Sequence, residues 1–234
     1  MKITLFDRTI TGALLIRRFK EALPMVLYFV TYFTWFYVLE HVDRLHYTVI
    51  HTDIDDRIPF VEAFIIPYDM WFLYVALVIL FLFFTDMNEY RRCAAALCIG
   101  MTVFLVVSTL WPNIQHLRHA VMPRDYFCTD LVLKLYKTDT PTNICPSIHV
   151  YNTLCVMTGT LKCSARFMRR NAVRAANIVL SILIILSTMF LKQHSFFDVV
   201  CALALFAGIF VLVYHFGFTF SGSRVVARTA RVPR

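Results

Sequence analysis

Six stretches of this 234-residue chain, roughly 23–41, 65–85, 93–111, 147–163, 174–191 and 196–218, are apolar almost throughout. Each comes close to the about 20 residues a helix needs to cross a bilayer. In lipid every backbone N–H and C=O must find its partner within the segment, so runs of this kind read as helices. The expected fold class is all-α, a single integral membrane domain over 1–234 with six transmembrane helices. A content of 59% hydrophobic residues and a mean hydropathy of +0.65 exclude an ordinary water-soluble enzyme. The first run follows a basic amphipathic stretch, ITGALLIRRFKEAL, and is too long for a signal peptide, so it is expected to be retained. Pro24 suits the first turn of span 1 and Pro67 that of span 2, and Gly100, Gly159 and Gly208 read as close helix contacts.

The formal charge of +8 is not gathered on one face, which argues against a nucleic-acid partner; the basic residues punctuate the ends of the apolar runs. Sixteen of the 23 fall in four places. These are the N-terminus (Lys2, Arg8, Arg17, Arg18, Lys20), the 86–92 loop (Arg91, Arg92), the 162–174 loop (Lys162, Arg166, Arg169, Arg170, Arg174) and the tail (Arg224, Arg228, Arg231, Arg234). The positive-inside rule makes these the cytoplasmic ends and puts both termini in the cytoplasm. The 42–64 and 112–146 loops and the 192–195 turn then face outside, in a multi-pass protein expected in the cell membrane.

Within the long outer loop, DYFCTDLVLKLYK spaces Phe127, Leu131, Leu133 and Leu135 at near-helical intervals around Asp130, Lys134 and Lys137. Two readings stand: a helix lying on the outer leaflet, or one packed on the bundle. Seven cysteines show no metal-ligand spacing. Cys128 and Cys145 alone share the outer loop, where a disulfide can form, although two free thiols is the simpler reading. The acidic run His51, Asp53, Asp55, Asp56 reads as a solvated loop, and no metal or other cofactor is expected.

The chemistry concentrates in two short stretches. STMFLKQHSFFD places Lys192, His194 and Asp198 between two apolar runs, and ionisable groups at a membrane boundary are costly and usually functional. His194 and Asp198, four apart at the start of span 6, share a helix face, so the carboxylate can fix the imidazole tautomer and leave the other nitrogen free. Upstream, Pro146-Ser147-Ile148-His149 opens span 4 on the same outer side. The starts of both helices offer partial positive charge to an anion. Ser147, Lys192 and Arg118 are the expected phosphate ligands. His41, His46, His51, His116 and His119 read as interfacial polar residues.

PSIH resembles the PSGH motif, and Ser187-x6-His194-x3-Asp198 resembles the SRxxxxxHxxxD motif, of the type 2 phosphatidic acid phosphatase superfamily of membrane lipid phosphatases. The resemblance covers a core over 93–218, and the first two spans (23–85) follow by topology. It departs at Thr188, where the family has Arg. It departs again in the first motif, KxxxxxxRP, whose best alignment runs from Trp111 to His119 and keeps only Arg118. That loss of cations resembles the sphingomyelin synthase branch, which transfers a phospho-headgroup to an alcohol.

The resemblance implies a metal-independent lipid phosphatase working at the outer face on a lipid phosphomonoester or pyrophosphate, phosphatidate-like or polyprenyl-diphosphate-like. His194 would attack phosphorus, Asp198 would orient it, and His149 would protonate the leaving oxygen. The alternative is a lipid phosphotransferase sharing the same residues, and a less favoured one is a non-catalytic lipid-binding relative. Either enzyme has a membrane lipid as substrate and the bilayer as its surroundings.

Overall fold

The computed structural model describes residues 2–5, 8–42, 44 and 46–219, with side chains from Thr11 onward. The basic residues of the tail, and with them the side of the C-terminus, lie outside the described residues. The chain is mostly helical: α1 (Gly12–His41), α2 (Asp53–Arg57), α3 (Ile65–Thr85), α4 (Met87–Leu110), α5 (Phe127–Thr138), α6 (Ile148–Lys162), α7 (Asn171–Phe190) and α8 (Phe196–Phe210). Two small sheets accompany them, antiparallel β1 (Lys2–Leu5) with β2 (Arg8–Thr11) and parallel β3 (Thr48–Val49) with β4 (Asn113–Ile114).

Five helical segments are long and apolar enough to cross a membrane: Gly12–His41, Glu62–Thr85, Met87–Leu110, Asn171–Phe190 and Phe196–His215. Their outward faces carry Phe33, Phe72, Leu73 and Leu77, all more than half exposed. Contiguous apolar surface of that kind matches hydrocarbon rather than water. The expected fourth span differs. α6 has 15 residues, a rise of about 22 Å. It packs on α3, α4, α7 and α8 at once, and ten of its residues are buried. Being shielded by other helices, it carries Asn152, Thr153, Thr158 and Thr160 in its buried set, which a lipid-facing helix would not tolerate.

Apolar residues gain little by leaving lipid for another helix, so close packing and polar contacts hold the bundle. Gly100 lets α4 meet the ring of Tyr151, whose hydroxyl donates to the Ala96 carbonyl at 2.6 Å. Gly159 sits against Leu82 and Cys93. Gly208, expected to be a third close contact, has open space around it. Pro24 falls in the interior of α1 rather than its first turn, because the helix starts at Gly12, capped by the Thr11 hydroxyl, and takes in the basic amphipathic stretch.

At one end of the bundle Arg18 donates to the terminal carbonyls of α3 at Phe83 and Phe84, Arg91 pairs with Glu21, and Asp86 caps α4 while accepting from the Ser164 amide. β3, β4, α2, α5 and the 191–195 turn gather at the other end. There α5 packs through Cys128 and Val132 on Ile65, Tyr68 and Leu191, which answers the open alternative in favour of a helix on the bundle. All seven cysteines are free thiols, and Cys128 and Cys145 belong to separate clusters.

Candidate active site

The turn that joins α7 to α8 is built by side chains bonding back to their own helix. Ser187 Oγ donates to the Ile184 carbonyl at 2.6 Å and Thr188 Oγ1 to that of Ile185 at 2.8 Å. The Thr188 carbonyl then accepts the amides of Gln193 and His194, ending α7 and turning the chain within the five residues 191–195. Ser195 caps α8 in a capping box with Asp198, whose Oδ2 accepts the Ser195 amide at 2.8 Å. The box draws Asp198 Oδ2 to 3.5 Å from His194 Nδ1, with Asp198 fully buried and His194 7% exposed.

His149 reaches the same place from α6. Ser147 caps that helix by accepting the Val150 amide at 3.4 Å, and its own amide donates to the Asp198 carbonyl at 3.3 Å, so the two helix starts are stitched together. The rings of His149 and His194 lie 5.6 Å apart between centroids. Tyr68 stacks on His149 at 4.8 Å and Trp71 lies 4.2 Å from it. His149 Nδ1 and Asp198 Oδ1 are buried with no hydrogen-bond partner, while His194 Nδ1 has its approach to Asp198 Oδ2. Buried polar atoms are usually satisfied, so the unpartnered His149 Nδ1 and Asp198 Oδ1, on facing residues, single this place out for attention.

The three expected phosphate ligands sit differently. Ser147 is fully buried and its hydroxyl acts as a helix cap. Arg118 donates to the carbonyls of Tyr136, Asp139 and Thr140 and to Gln193 Oε1. Burial there lowers its pKa, opposed by the nearby Asp139 carboxylate. Lys192 turns its ammonium onto the carbonyls of Asp55 at 2.7 Å and Ile58 at 2.6 Å. Its pKa is also lowered by burial, against the pull of Asp55 and Asp56.

Two further residues shape the site without having stood out in the sequence. Asn113, fully buried, accepts the amides of Ile144 and Cys145 on Oδ1 at 2.7 and 3.1 Å, fixing the segment that leads through the cis Cys145–Pro146 bond to His149. Asp55 corrects the reading of a solvated acidic loop. Asp53 and Asp56 are exposed, the latter bonded to His51, but Asp55 is 2% exposed and accepts from Ser195 Oγ at 2.6 Å and the Phe196 amide at 2.7 Å. The available signal was Thr52 three residues before Asp55, a helix-start spacing that ties one carboxylate inward. For Tyr68 and Trp71 it was their three-residue interval in α3, which puts both rings on one face.

Among the described residues no group of three or more His, Cys, Asp or Glu is placed to hold a metal ion. No curated protein and no solved structure matches the chain. Residues 123–221, which carry α5 to α8 and both facing histidines, match the family model of the PAP2 superfamily.

Proposed function

We propose that the protein is a membrane lipid phosphatase acting through a phosphohistidine. The observation that carries this reading is the facing of His149 and His194 at 5.6 Å with Asp198 behind His194. Asp198 lies on the Nδ1 side of His194, which leaves Nε2 as the nucleophile. In the first step Nε2 bonds to phosphorus, the bond from phosphorus to the lipid oxygen breaks, and protonated His149 gives its proton to that oxygen. In the second step His149 takes a proton from water, whose oxygen displaces Nε2 and releases inorganic phosphate. The first amides of α6, at Ile148 and His149, have no partner within the helix, and a helix start of this kind would receive the phosphate. Asp198 steadies the imidazolium that forms between the steps. The proposed chemistry needs no metal, so EDTA should leave turnover unchanged.

A second reading, transfer of a phospho-headgroup to an alcohol, is favoured by the engagement of both nearby cations. Arg118 and Lys192 are occupied with main-chain carbonyls, and a phosphodiester, carrying one negative charge instead of two, asks for fewer cations. The purified protein in vesicles, given ³²P-labelled phosphatidate, a polyprenyl diphosphate and headgroup-labelled phosphodiester lipids with and without acceptor alcohols, separates the two. Free phosphate supports hydrolysis, new phosphodiester supports transfer, and neither product on any lipid overturns both.

The membrane reading supports six spans with both termini in the cytoplasm and the histidines facing out, α6 being the short inner span. Its support is the basic residues at the end where Arg18, Arg91 and Lys162 lie. An impermeant thiol reagent applied outside should label a cysteine placed at Lys137 and not one placed at Arg170. The opposite pattern would invert the topology.

A further inference from the structure

We infer that Asp55 and Lys192 form a reciprocal clasp that positions His194, so that α2 serves the site as a support for the nucleophile and Lys192 acts as a positioning residue rather than a phosphate ligand. The inference rests on the reading of His194 as nucleophile.

The backbone at Lys192 supplies the first argument. Its φ of +53° lies in the left-handed region, which costs a residue with a Cβ about 1 kcal/mol or more and which glycine enters freely. A turn that needed only this backbone would be served better by glycine. The side chain runs to α2 and bonds the carbonyls of Asp55 and Ile58, groups left open where a five-residue helix ends.

Asp55 answers from the other side. Its carboxylate accepts four hydrogen bonds, from Ser195 Oγ and the Phe196 amide in the turn and from the Thr52 amide and hydroxyl in its own loop, the last two each at 2.8 Å. It thereby occupies the start of α8 that an incoming phosphate would otherwise use, and places a full negative charge on the positive end of the helix. The residue on one α2 holds both flanks of His194: Lys192 two positions before it, Ser195 and Phe196 just after.

The rest of the turn follows the same pattern. Tyr136 donates to the Leu191 carbonyl at 2.8 Å, Gln115 Nε2 to the Lys192 carbonyl at 2.9 Å, and Arg118 to Gln193 Oε1 at 2.7 Å. Every residue from Leu191 to Phe196 except His194 is thus bonded from α2, α5 or the 112–146 loop, whereas the His194 amide bonds back to Thr188 of α7 and its ring meets Asp198 and His149. That is how a reacting side chain is held: its supports are fixed by others, and its own ring is kept for substrate.

Steady-state kinetics of Lys192→Met, Lys192→Arg and Asp55→Asn, in detergent with the lipid the wild type turns over, test the clasp, with orthovanadate as a phosphate-like inhibitor. A misplaced nucleophile lowers kcat, so Lys192→Met and Asp55→Asn should lose up to about 100-fold in kcat with KM and vanadate inhibition nearly unchanged, and Lys192→Arg should recover part of the loss. A rise in KM matched by an equal loss of vanadate affinity in Lys192→Met would make Lys192 a phosphate ligand and overturn the proposal, as would wild-type kcat in both variants. Where Lys192→Met does not fold, Thr52→Ala, which removes a donor to Asp55 from outside the turn, should give the same split with a smaller drop. Histidine-selective ¹⁵N NMR keeps this test apart from the enzymatic reading: if the wild type shows no turnover, the His194 ring signals, identified by their loss in His194→Ala, should still move in Asp55→Asn. Unmoved signals would overturn the clasp.

Discussion

His149 and His194 meet across the mouths of two helices, their ring planes inclined at 59° and their centroids 5.6 Å apart. A nucleophile and a leaving-group acid working in one step should show non-additive losses. His194→Ala and His149→Ala should each cost several orders of magnitude in kcat, with the double variant little worse than either. Trapping should separate their roles. Acid-labile phosphate should be absent from His194→Ala, yet form in His149→Ala from an aryl phosphate, whose leaving group needs no proton. Asp198→Asn should fall between, since the capping box loses a charged acceptor and the imidazole its partner. Labelled phosphate on His149 in the absence of His194 would reverse the assignment.

Gly100 and Gly208 offer a contrast within the bundle. A Cβ at Gly100 would enter the Tyr151 ring, which cannot swing away without breaking its bond to the Ala96 carbonyl. Gly100→Ala should therefore lose about 1–3 kcal/mol or more to overpacking. At Gly208 nothing lies within 4 Å, and Gly208→Ala should be neutral or slightly stabilising through better helix propensity. Thermal unfolding of both in the same detergent checks the pair, and equal midpoints would mean the α4–α6 contact yields.

Asn113→Ala removes the acceptor of two buried amides and leaves the Ile144 and Cys145 N–H groups unsatisfied. At about 1–3 kcal/mol for each unsatisfied group the loss should reach several kcal/mol. Asn113→Asp keeps the acceptor oxygen and should lose less, while giving up the donor to the Trp111 carbonyl. Because the Ile144–Cys145 segment carries the chain into His149, activity in Asn113→Ala should fall by more than the unfolded fraction explains. A purely proportional loss would confine Asn113 to stability.

The long helices were legible because lipid allows a long apolar run only one backbone solution, and α5 was legible from its spacing. The histidines and Asp198 were legible because charge between two apolar runs has few structural uses. Asp55 was not: in sequence it is one of three acids on a short loop, and only a contact across more than a hundred residues distinguishes it from the exposed Asp53 and Asp56. Asn113 was hidden because nothing in the chain marks it as the acceptor of the Ile144 and Cys145 amides, which lie 31 and 32 residues further on. Lys192 and Arg118 were visible as cations at the right end, but a sequence does not say whether a guanidinium or an ammonium faces a ligand or the protein's own carbonyls. The extent of α6 depended on its neighbours, since a helix enclosed by four others need not itself span the hydrocarbon.

The charge of Asp55 gives the clasp a pH dependence of definite sign. Burial alone would raise its pKa, but the Phe196 amide, the Ser195 hydroxyl and the Thr52 hydroxyl and amide together outweigh burial, and the pKa is lowered from 3.8. A carboxylate whose folded pKa lies below its unfolded value adds stability that is fully present above the unfolded value and is lost as pH falls through the folded one. The wild type should therefore exceed Asp55→Asn in unfolding temperature by a constant margin above about pH 5, and that margin should narrow as pH drops below about 4. Thermal unfolding of both proteins between pH 7 and pH 2, in one detergent and one salt concentration, isolates the term because every other titrating group is common to the two. A margin that stays constant to the acid limit would mean that the bonds to Ser195 and Phe196 do not depend on the carboxylate charge. A margin that widens toward acid would reverse the sign and place the folded pKa above the unfolded one.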